Sequence, residues 1–569
     1  MTTPRQTETA PSAIGRALDN LIHQFADPWS FLREMIQNAI DAGSPEIEVN
    51  IEHQSPGPGA GADDPGLMMV EILDAGAGMD RDIIDNRLTR LFSSAKDGDY
   101  TKIGRFGIGF VSVFAIAPDL VCVDTGRSGE YWRVLFRADR SFERIRLDMP
   151  VEGTTIRIYK RGGPGQVEEA RRRAAKVIEY WCKHARVEVH LDGVLVSRPM
   201  SLDADCVIEH EEEGTRLLLG LSEDPHALHG YYHGGLTLHE ERSDALPHLS
   251  FKIDSRYLEH TLTRDNVIRD ENYDKAMAIV ARLAATRLVE TLFAALEAQV
   301  LEFDPDPSAV DPAAVETLRA LYGHALRERR RAAGGGQKLS ETVETRRIIP
   351  TVDGPPRSLR DCRKLGREQL WTAAAASPVT AALRAKGSCV VDLRAAGEVL
   401  TDLLTLHTKR APQRVSSVCT AIPTPGGGDC GIDSEPGGWA PLRAACAHLL
   451  DSEGARVAAL RLGHLDYPES AVADRVAITQ GEFGELTPIE AAGSLATGWL
   501  AGKRCVVVNA DHPSVGQLLE LAQTEPELAA YLLVKLLYLR AGPPEDRSVH
   551  SLDTALATTA AGTRWERRG

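Results

Sequence analysis

The sequence predicts a multidomain protein of mixed α+β class. Its 569 residues allow about three or four domains at roughly 150 residues each. Apolar residues at helical spacing recur along the whole chain, between short stretches in which every second residue is apolar, the pattern of half-buried strands. Hydrophobic residues make up 43% and charged residues 26% of the chain, which is usual for a folded globular protein.

Turn-forming stretches divide the chain into parts. Gly-Gly-Pro-Gly at 162–165 follows the first group of predicted strands, and an Asp- and Pro-rich run at 304–311 follows a pair of predicted helices. A basic helix then leads into three glycines at 334–336, which are typical of a linker. The predicted parts are a first domain at 1–161, a middle α/β domain at 166–303, a helix and linker at 304–339, and a C-terminal α/β domain at 340–569.

The elements of the first 303 residues follow from apolar periodicity. A first helix is predicted at 12–25 and a second at 29–42; Asp27-Pro28 favours the start of the second helix, and Gly43 favours its end. Predicted strands occupy 47–52, 68–73, 120–125, 131–137 and 154–159. Beyond the 162–165 break, the pattern predicts a helix at 167–182, a strand at 186–191 and helices within 273–303.

Charge and cysteine content narrow the classes of function. The 65 basic and 81 acidic residues give a net charge of −16, which argues against a protein that mainly coats nucleic acid or an anionic membrane. No run of 18 apolar residues and no apolar leader is present, so we expect a cytoplasmic protein without membrane spans. Nine dispersed cysteines without a Cys-x-x-Cys pair indicate reduced thiols.

Three polar residues share one face of the helix predicted at 29–42. Glu34, Asn38 and Asp41 stand at i, i+4 and i+7, so they project from the same side. A solvated polar stripe would explain this segment on its own.

Two glycine-rich runs lie downstream of that helix. Asp-Ala-Gly-Ala-Gly-Met at 74–79 comes straight after a predicted strand, where such turns are common. Gly-Arg-Phe-Gly-Ile-Gly-Phe at 104–110 opens a helical stretch. Asp124 has nearly the spacing of the acidic residue in a dinucleotide fingerprint, but that fingerprint needs a hydrophobic strand before the glycines. Residues 97–102 are polar, which argues against dinucleotide binding.

Taken in order, and with Thr154 in Glu-Gly-Thr-Thr-Ile-Arg-Ile at 152–158, these segments resemble the GHKL ATPase superfamily. That superfamily includes gyrase B, histidine kinases, MutL and the heat-shock chaperones, and the resemblance covers about residues 13–160. Within it, Phe-Leu-Arg-Glu at 31–34, Ser-Ala-Lys-Asp-Gly at 94–98 and Ile-Gly-Arg-Phe-Gly-Ile-Gly-Phe at 103–110 are most similar to the heat shock protein 90 (HtpG) family.

The resemblance implies a Bergerat fold at 1–161, an α/β sandwich in which helices cover an antiparallel sheet, and a site for ATP and Mg²⁺. Asp74, supported by Thr154, would bind the adenine amino group; Asn38 would be the metal ligand; and Glu34 would polarise the attacking water. The glycines at 104–109 and Lys96 would hold the phosphates. The implied pocket comprises Asn38, Asp41, Asp74, Gly76, Gly78, Met79, Lys96, Gly104, Phe106, Gly107, Gly109, Phe110 and Thr154.

A second catalytic residue is expected from the middle domain. Leu-Thr-Arg at 262–264 resembles the segment whose arginine reaches the γ-phosphate in the HtpG family, so Arg264 is the predicted arginine finger. A surface ion pair of Arg264 with Asp265 or Asp270 is the alternative, and Arg256 is the second candidate for the finger.

The predicted function is that of an HtpG-like, Mg²⁺-dependent ATPase: a homodimeric, ATP-driven clamp that acts as a chaperone on protein clients or on a partner protein. The alternative is a MutL- or MORC-like DNA clamp, with bacterial defence as one setting. It is favoured by the basic residues at 327–331 and by a short lid, since only five residues separate Gly98 from Gly104 where the HtpG family has more than a dozen extra. A histidine kinase is disfavoured, because in that family the ATPase domain follows a phospho-accepting helix.

Overall fold

The structure is a computed structural model. It describes residues 27–57, 63–89, 108–259, 266–303, 311–336, 338–366, 368–424, 435–495, 500–541 and 549–568. The chain forms two compact units, residues 1–288 and 289–569, and the division falls within one helix. The predicted α+β multidomain class is confirmed.

The first unit begins with an eight-stranded sheet that is covered by helices. Its strands are β1 Glu46–Gln54, β2 Leu67–Asp74, β3 Leu120–Arg127, β4 Glu130–Arg137, β5 Phe142–Arg146, β6 Thr154–Arg161, β7 Glu188–Leu191 and β8 Val194–Leu195. The spatial order is β5-β4-β3-β6-β2-β1-β7-β8, and every pairing is antiparallel except β1 with β7. The sheet therefore has the predicted antiparallel character.

Helices on one face of this sheet enclose its core. They are α1 Phe31–Asp41, α2 Arg81–Ile83, α3 Ile108–Val111 and α4 Pro164–Cys182, with 3₁₀ turns at Pro28–Ser30 and Ser112–Ile116 and a π turn at Ile84–Leu88. Alternate residues of the strands and the apolar sides of α1 and α4 form one buried cluster. Because β7 pairs with β1, the sheet takes in residues on both sides of the boundary expected at 162–165, and the domain limits stay a prediction.

A second, five-stranded sheet completes the first unit. Its strands are β9 Asp205–Glu212, β10 Thr215–Leu221, β11 Ala227–His233, β12 Leu236–Ser243 and β13 Leu249–Ser255, in the order β12-β11-β13-β10-β9. Helix α5, Glu271–Ala285, packs on this sheet, and α6, Arg287–Glu302, contains the division between the units. A separate buried cluster holds the inner face of the sheet against α5.

The second unit is also α/β, as predicted for the C-terminal domain. Its helices are α7 Pro312–Gly334, α8 Glu341–Thr345, α9 Leu359–Lys364, α10 Pro378–Ala385, α11 Glu398–Thr408, α12 Trp439–Ser452, α13 Pro513–Ala522, α14 Pro526–Ala541 and α15 Val549–Arg568. Its strands are β14 Ile349–Thr351, β15 Gly354–Arg357, β16 Leu370–Ala373, β17 Cys389–Asp392, β18 Gln413–Arg414, β19 Val418–Cys419, β20 Ile422–Pro423, β21 Val457–His464, β22 Ala477–Gln480, β23 Thr487–Pro488 and β24 Arg504–Asn509.

These strands form two larger sheets, β15-β14-β17-β16-β18 and β20-β21-β24-β22, and the pair β19-β23. Helices α12, α13, α14 and α15 pack together over one buried cluster. Eight of the nine cysteines lie in the described part of the chain, and all eight are free thiols. In that part no helix combines the length and the apolar character that crossing a membrane requires.

Candidate functional site

Helix α1 presents the first group of predicted site residues. The Asp27 carboxylate accepts a hydrogen bond from the Trp29 amide at 2.9 Å, and Pro28 stands at the first position of the 3₁₀ turn that leads into the helix. Glu34 is buried, whereas Asn38 and Asp41 are exposed further along α1. Asp41 accepts a hydrogen bond from the Gln37 amide at 3.0 Å.

The buried Glu34 carboxylate has a cation beside it. The Arg33 guanidinium is 3.7 Å from Glu34 Oε1 and stacks 4.7 Å above the ring of Trp181 on α4. Burial lowers the pKa of Arg33 to about 10, so it keeps its charge at neutral pH. Glu34 therefore has a charged partner at 3.7 Å in an otherwise buried position.

Gly109, the last glycine of the 104–109 run, lies against the polar side of α1. A Cβ atom placed on Gly109 would stand 3.1 Å from Glu34 Oε2 and 3.8 Å from Asn38 Nδ2. Any side chain at position 109 would therefore push the Glu34 carboxylate from its present position. The structure thus brings two sequence segments together that are about 70 residues apart, with room between them that a side chain would fill.

Asp74 ends strand β2 near the C-terminal end of α1. It is the register partner of Thr154 on β6, and its Oδ1 accepts a hydrogen bond from the Gly76 amide at 2.9 Å. Burial raises the pKa of the Asp74 carboxyl, while the backbone N–H groups of Gly76 and Thr154 lower it. A half-buried carboxylate that is oriented by backbone donors can accept a hydrogen bond from an amino group in a well-defined direction.

Close backbone contacts explain the glycines after Asp74. A Cβ on Gly76 would come within 2.8 Å of the Ala42 Cβ atom, just past the end of α1. Gly78 has a φ of +62°, and a side chain there would overlap the carbonyl oxygen of Gly126. Gly153, next to Thr154, has a φ of +63° and lies against the Asp74 carbonyl. The motif is therefore packed between α1 and the ends of β3 and β6.

The structure adds two hydroxyl residues that the sequence analysis missed. Thr125 on β3 accepts a hydrogen bond from the Met79 amide at 2.8 Å, and its hydroxyl lies 3.0 Å from that of Thr154. Ser44 accepts a hydrogen bond from the Ala75 amide at 2.9 Å. A threonine in a strand and a serine after a helix are common, so nothing in the sequence marks Thr125 and Ser44 as residues that hold the 74–79 segment.

Of the remaining predicted site residues, some lie in the core of the sheet, one is exposed, and the others lie outside the described residues. Met79 is half-buried and packs on the sheet core, and Phe110 belongs to that core, with its ring 5.1 Å from the ring of Phe136. Arg256 is exposed and donates a hydrogen bond to the Tyr257 hydroxyl at 2.6 Å. Lys96, Gly104, Phe106, Gly107 and Arg264 lie outside the described residues.

Asp124, the acidic residue considered for a dinucleotide fingerprint, has structural partners. Arg133 donates two hydrogen bonds to its carboxylate at 2.7 and 2.8 Å, and Arg157 donates a third at 2.9 Å. Arg157 also bonds Glu71 at 2.7 Å. The carboxylate is thus held within a network of strand residues, which agrees with the sequence argument against dinucleotide binding.

Comparisons with known proteins identify the type of domain. Residues 26–152 match the family described as "Histidine kinase-, DNA gyrase B-, and HSP90-like ATPase". The chain is 31% identical over 195 residues to the "Chaperone protein HtpG" of Cupriavidus metallidurans, an alignment that covers 29% of each protein. It is 33% identical over 165 residues to the "Chaperone protein HtpG" of Anaplasma phagocytophilum, covering 25% of this chain and 26% of that protein.

The matched part of the chain spans less than a third of the length of these curated relatives. The predicted resemblance is confirmed: residues 26–152 match the GHKL-type ATPase family, and part of the chain is similar to part of HtpG chaperones.

Proposed function

We propose that the chain is an HtpG-like, Mg²⁺-dependent ATPase: a cytoplasmic homodimer that closes as a clamp on ATP and acts as a chaperone on protein clients. One observation carries this proposal. Helix α1 has Asp74 and Gly76 packed at its end near Ala42, and Gly109 packed on Glu34 and Asn38 about two turns earlier. A base site at the end of the helix and a phosphate site one to two turns earlier along it suit a nucleotide that lies beside the helix.

Recognition of the base rests on Asp74. Its carboxylate accepts a hydrogen bond from the adenine amino group, and the N–H of Gly76 keeps the carboxylate oriented. The Thr154 and Thr125 hydroxyls, 3.0 Å apart, support this end of the pocket. Guanine has a carbonyl oxygen where adenine has the amino group, so a carboxylate favours ATP over GTP.

Asn38 and Glu34 carry out the chemistry at the phosphate end. The exposed Asn38 side chain beside Gly109 offers an amide oxygen, a ligand type that Mg²⁺ accepts together with phosphate oxygens and water. Mg²⁺ bound there would neutralise charge on the phosphates. Glu34 accepts a proton from the attacking water, and its ion pair with Arg33 holds the carboxylate in place.

Arg264 is proposed to complete the site from the segment after β13. A guanidinium neutralises charge that develops on the γ-phosphate, and such arginines contribute about 1000-fold or more to the rate of related reactions. Since the arginine comes from a different part of the chain, hydrolysis would depend on how that part docks.

The DNA-clamp alternative has less support. The net charge of −16 opposes it, and two of the basic residues at 327–331 are neutralised: Arg330 by Asp402 at 3.5 Å and Arg331 by Glu328 at 2.7 Å. Filter binding to duplex DNA at low and high salt separates the two functions, because a clamp should bind with a steep salt dependence. ATP-dependent suppression of the aggregation of an unfolded model protein is the matching test for a chaperone.

The test of the ATPase site uses Mg²⁺ and Asn38. We expect phosphate release from ATP by the full chain to stop in EDTA, and Asn38→Ala to need several-fold more Mg²⁺ for half-maximal turnover. Asn50→Ala is the control, because Asn50 lies on β1 between the buried Val49 and Ile51 and so faces away from the core. Full turnover in EDTA, or an unchanged Mg²⁺ requirement in Asn38→Ala, would contradict the proposal.

A further inference from the structure

The arginines of the basic run on α7 have two different environments. Arg330 and Arg331 are exposed and paired with carboxylates, as expected for a solvated helix face. Arg329 is partly buried instead, and its Nε and Nη1 atoms are buried without a hydrogen-bond partner among the described residues. Buried guanidinium N–H groups normally have acceptors, so these two unmatched donors need an explanation.

A second unmatched group lies close by on α11, which packs against α7. The His407 side chain is only 5% exposed, and within the described part of the chain neither ring nitrogen makes a hydrogen bond of good geometry, although the Leu359 backbone lies close enough to raise the pKa of His407. Burial lowers the pKa of His407 to about 4, and the nearby Arg329 and Arg363 guanidinium groups lower it too. The imidazole is therefore neutral and has one N–H donor to offer.

The local charge is not balanced. Of the charged groups near His407, Glu344 on α8 is the acidic one, and it is already bound by Arg363 of α9 through two hydrogen bonds of 3.0 and 3.1 Å. Arg329 thus adds a positive charge, and two of its three nitrogen atoms have no hydrogen-bond partner among the described residues. Guanidinium N–H groups that have left water without gaining an acceptor are unfavourable, so a ligand that supplies acceptors would be favoured here.

We propose that Arg329, His407 and Arg363 form a binding site for a phosphate group in the second unit. All three side chains can act as hydrogen-bond donors, and guanidinium groups match the geometry of phosphate oxygens. The ligand's negative charge would neutralise Arg329, and its oxygens would accept from the unmatched Arg329 and His407 N–H groups. The side chain of Arg363 is 49% exposed, which places it at the solvent side of the site.

The experiment measures binding of inorganic phosphate, and in a second arm glycerol phosphate, to the full chain by calorimetry, with chloride at matched ionic strength in the reference. Arg329→Met is expected to weaken binding on the order of 10- to 100-fold, the equivalent of one charge-assisted hydrogen bond. His407→Gln, which keeps a donor of similar size, should weaken binding less. Arg330→Met on the same helix is the control and should bind as the parent does. Tighter binding of glycerol phosphate than of inorganic phosphate would identify a phosphorylated small molecule as the ligand class; the reverse would identify the free ion.

A stability measurement without phosphate gives an independent readout. If Arg329 is an uncompensated charge that awaits an anion, Arg329→Met should unfold at a higher temperature than the parent protein. A lower unfolding temperature would mean that Arg329 has a structural partner, and would overturn the proposal. So would the absence of phosphate binding in the parent, or equal binding in Arg329→Met and Arg330→Met.

Discussion

Gly109→Ala is a small change that should raise the stability of the protein and lower its turnover of ATP. In helix α3 the added methyl group favours the helical backbone by roughly 0.5–1 kcal/mol. The same methyl group would lie 3.1 Å from Glu34 Oε2 and 3.6 Å from Glu34 Cβ, so the carboxylate must move by a few tenths of an ångström. Since a 1 Å misplacement of a reacting group can cost about 100-fold in rate, we expect turnover of ATP to fall by roughly 3- to 10-fold while the protein stays as stable as the parent or becomes more stable.

The assay is steady-state phosphate release, together with thermal unfolding of the same samples. Gly165→Ala on α4 is the matched control, because a Cβ at that helical glycine meets no atom within 4 Å. It should give the same gain in helix stability and leave turnover unchanged. In a Glu34→Gln background, Gly109→Ala should cause little further loss, because the displaced group is already inactive. Normal turnover in Gly109→Ala, or an equal further loss in the Glu34→Gln background, would refute the placement of Glu34 as the base.

Four further predictions concern other parts of the chain. Asp74→Asn should abolish ATP binding in calorimetric titration, and an affinity equal to the parent's would show that Asp74 does not bind adenine. Burial raises the pKa of the Asp74 carboxyl. On acidification, the affinity of the parent for ATP should therefore begin to fall at a higher pH than it would with a carboxyl of ordinary pKa. Glu34→Ala should bind ATP and lose about 100-fold or more of its turnover. Turnover equal to that of the parent would show that Glu34 is not the general base. Arg264→Ala should likewise bind ATP and hydrolyse it slowly; if Arg256→Ala is impaired instead, Arg256 is the finger, and if neither is, the proposed coupling is wrong. Burial is the main reason why the pKa of His184 is lowered from 6.5 to about 4. Between these two pH values the unfolded chain binds a proton at His184 and the native protein does not, so the free energy of unfolding should fall as the pH drops from 6.5 to 4. The fall should be smaller in His184→Gln.

Much of the first domain could be predicted from local sequence patterns. The helix that carries Glu34 and Asn38, the strand that ends at Asp74 and the strand that begins at Thr154 all lie within a few residues of their expected limits. Helical periodicity, strand alternation and turn glycines act over a few residues, so one sequence is enough to reveal them.

Contacts between distant segments needed the tertiary structure. The parallel pairing of β7 with β1 joins residues about 140 positions apart, and no periodicity in either strand specifies that partner. The Thr125 hydroxyl is a second example of a contact that the sequence does not specify. It accepts a hydrogen bond from the Met79 amide 46 residues away, yet the residues around Thr125 have only the ordinary pattern of a strand. The alternation of apolar and polar residues in a strand indicates which face of the strand is buried, but it does not indicate which residue of a neighbouring strand will lie beside it.

The basic run at 327–331 separates the two kinds of information most clearly. The residue types alone predict that the run is helical and strongly positive. Only the packing of α7 on α11 decided that Arg330 and Arg331 face solvent and acidic partners, while Arg329 turns inward beside His407. Helical periodicity fixes the angle between side chains on one helix, but which of those directions is buried depends on the neighbouring helix, and that helix comes from a segment about 80 residues further along the chain.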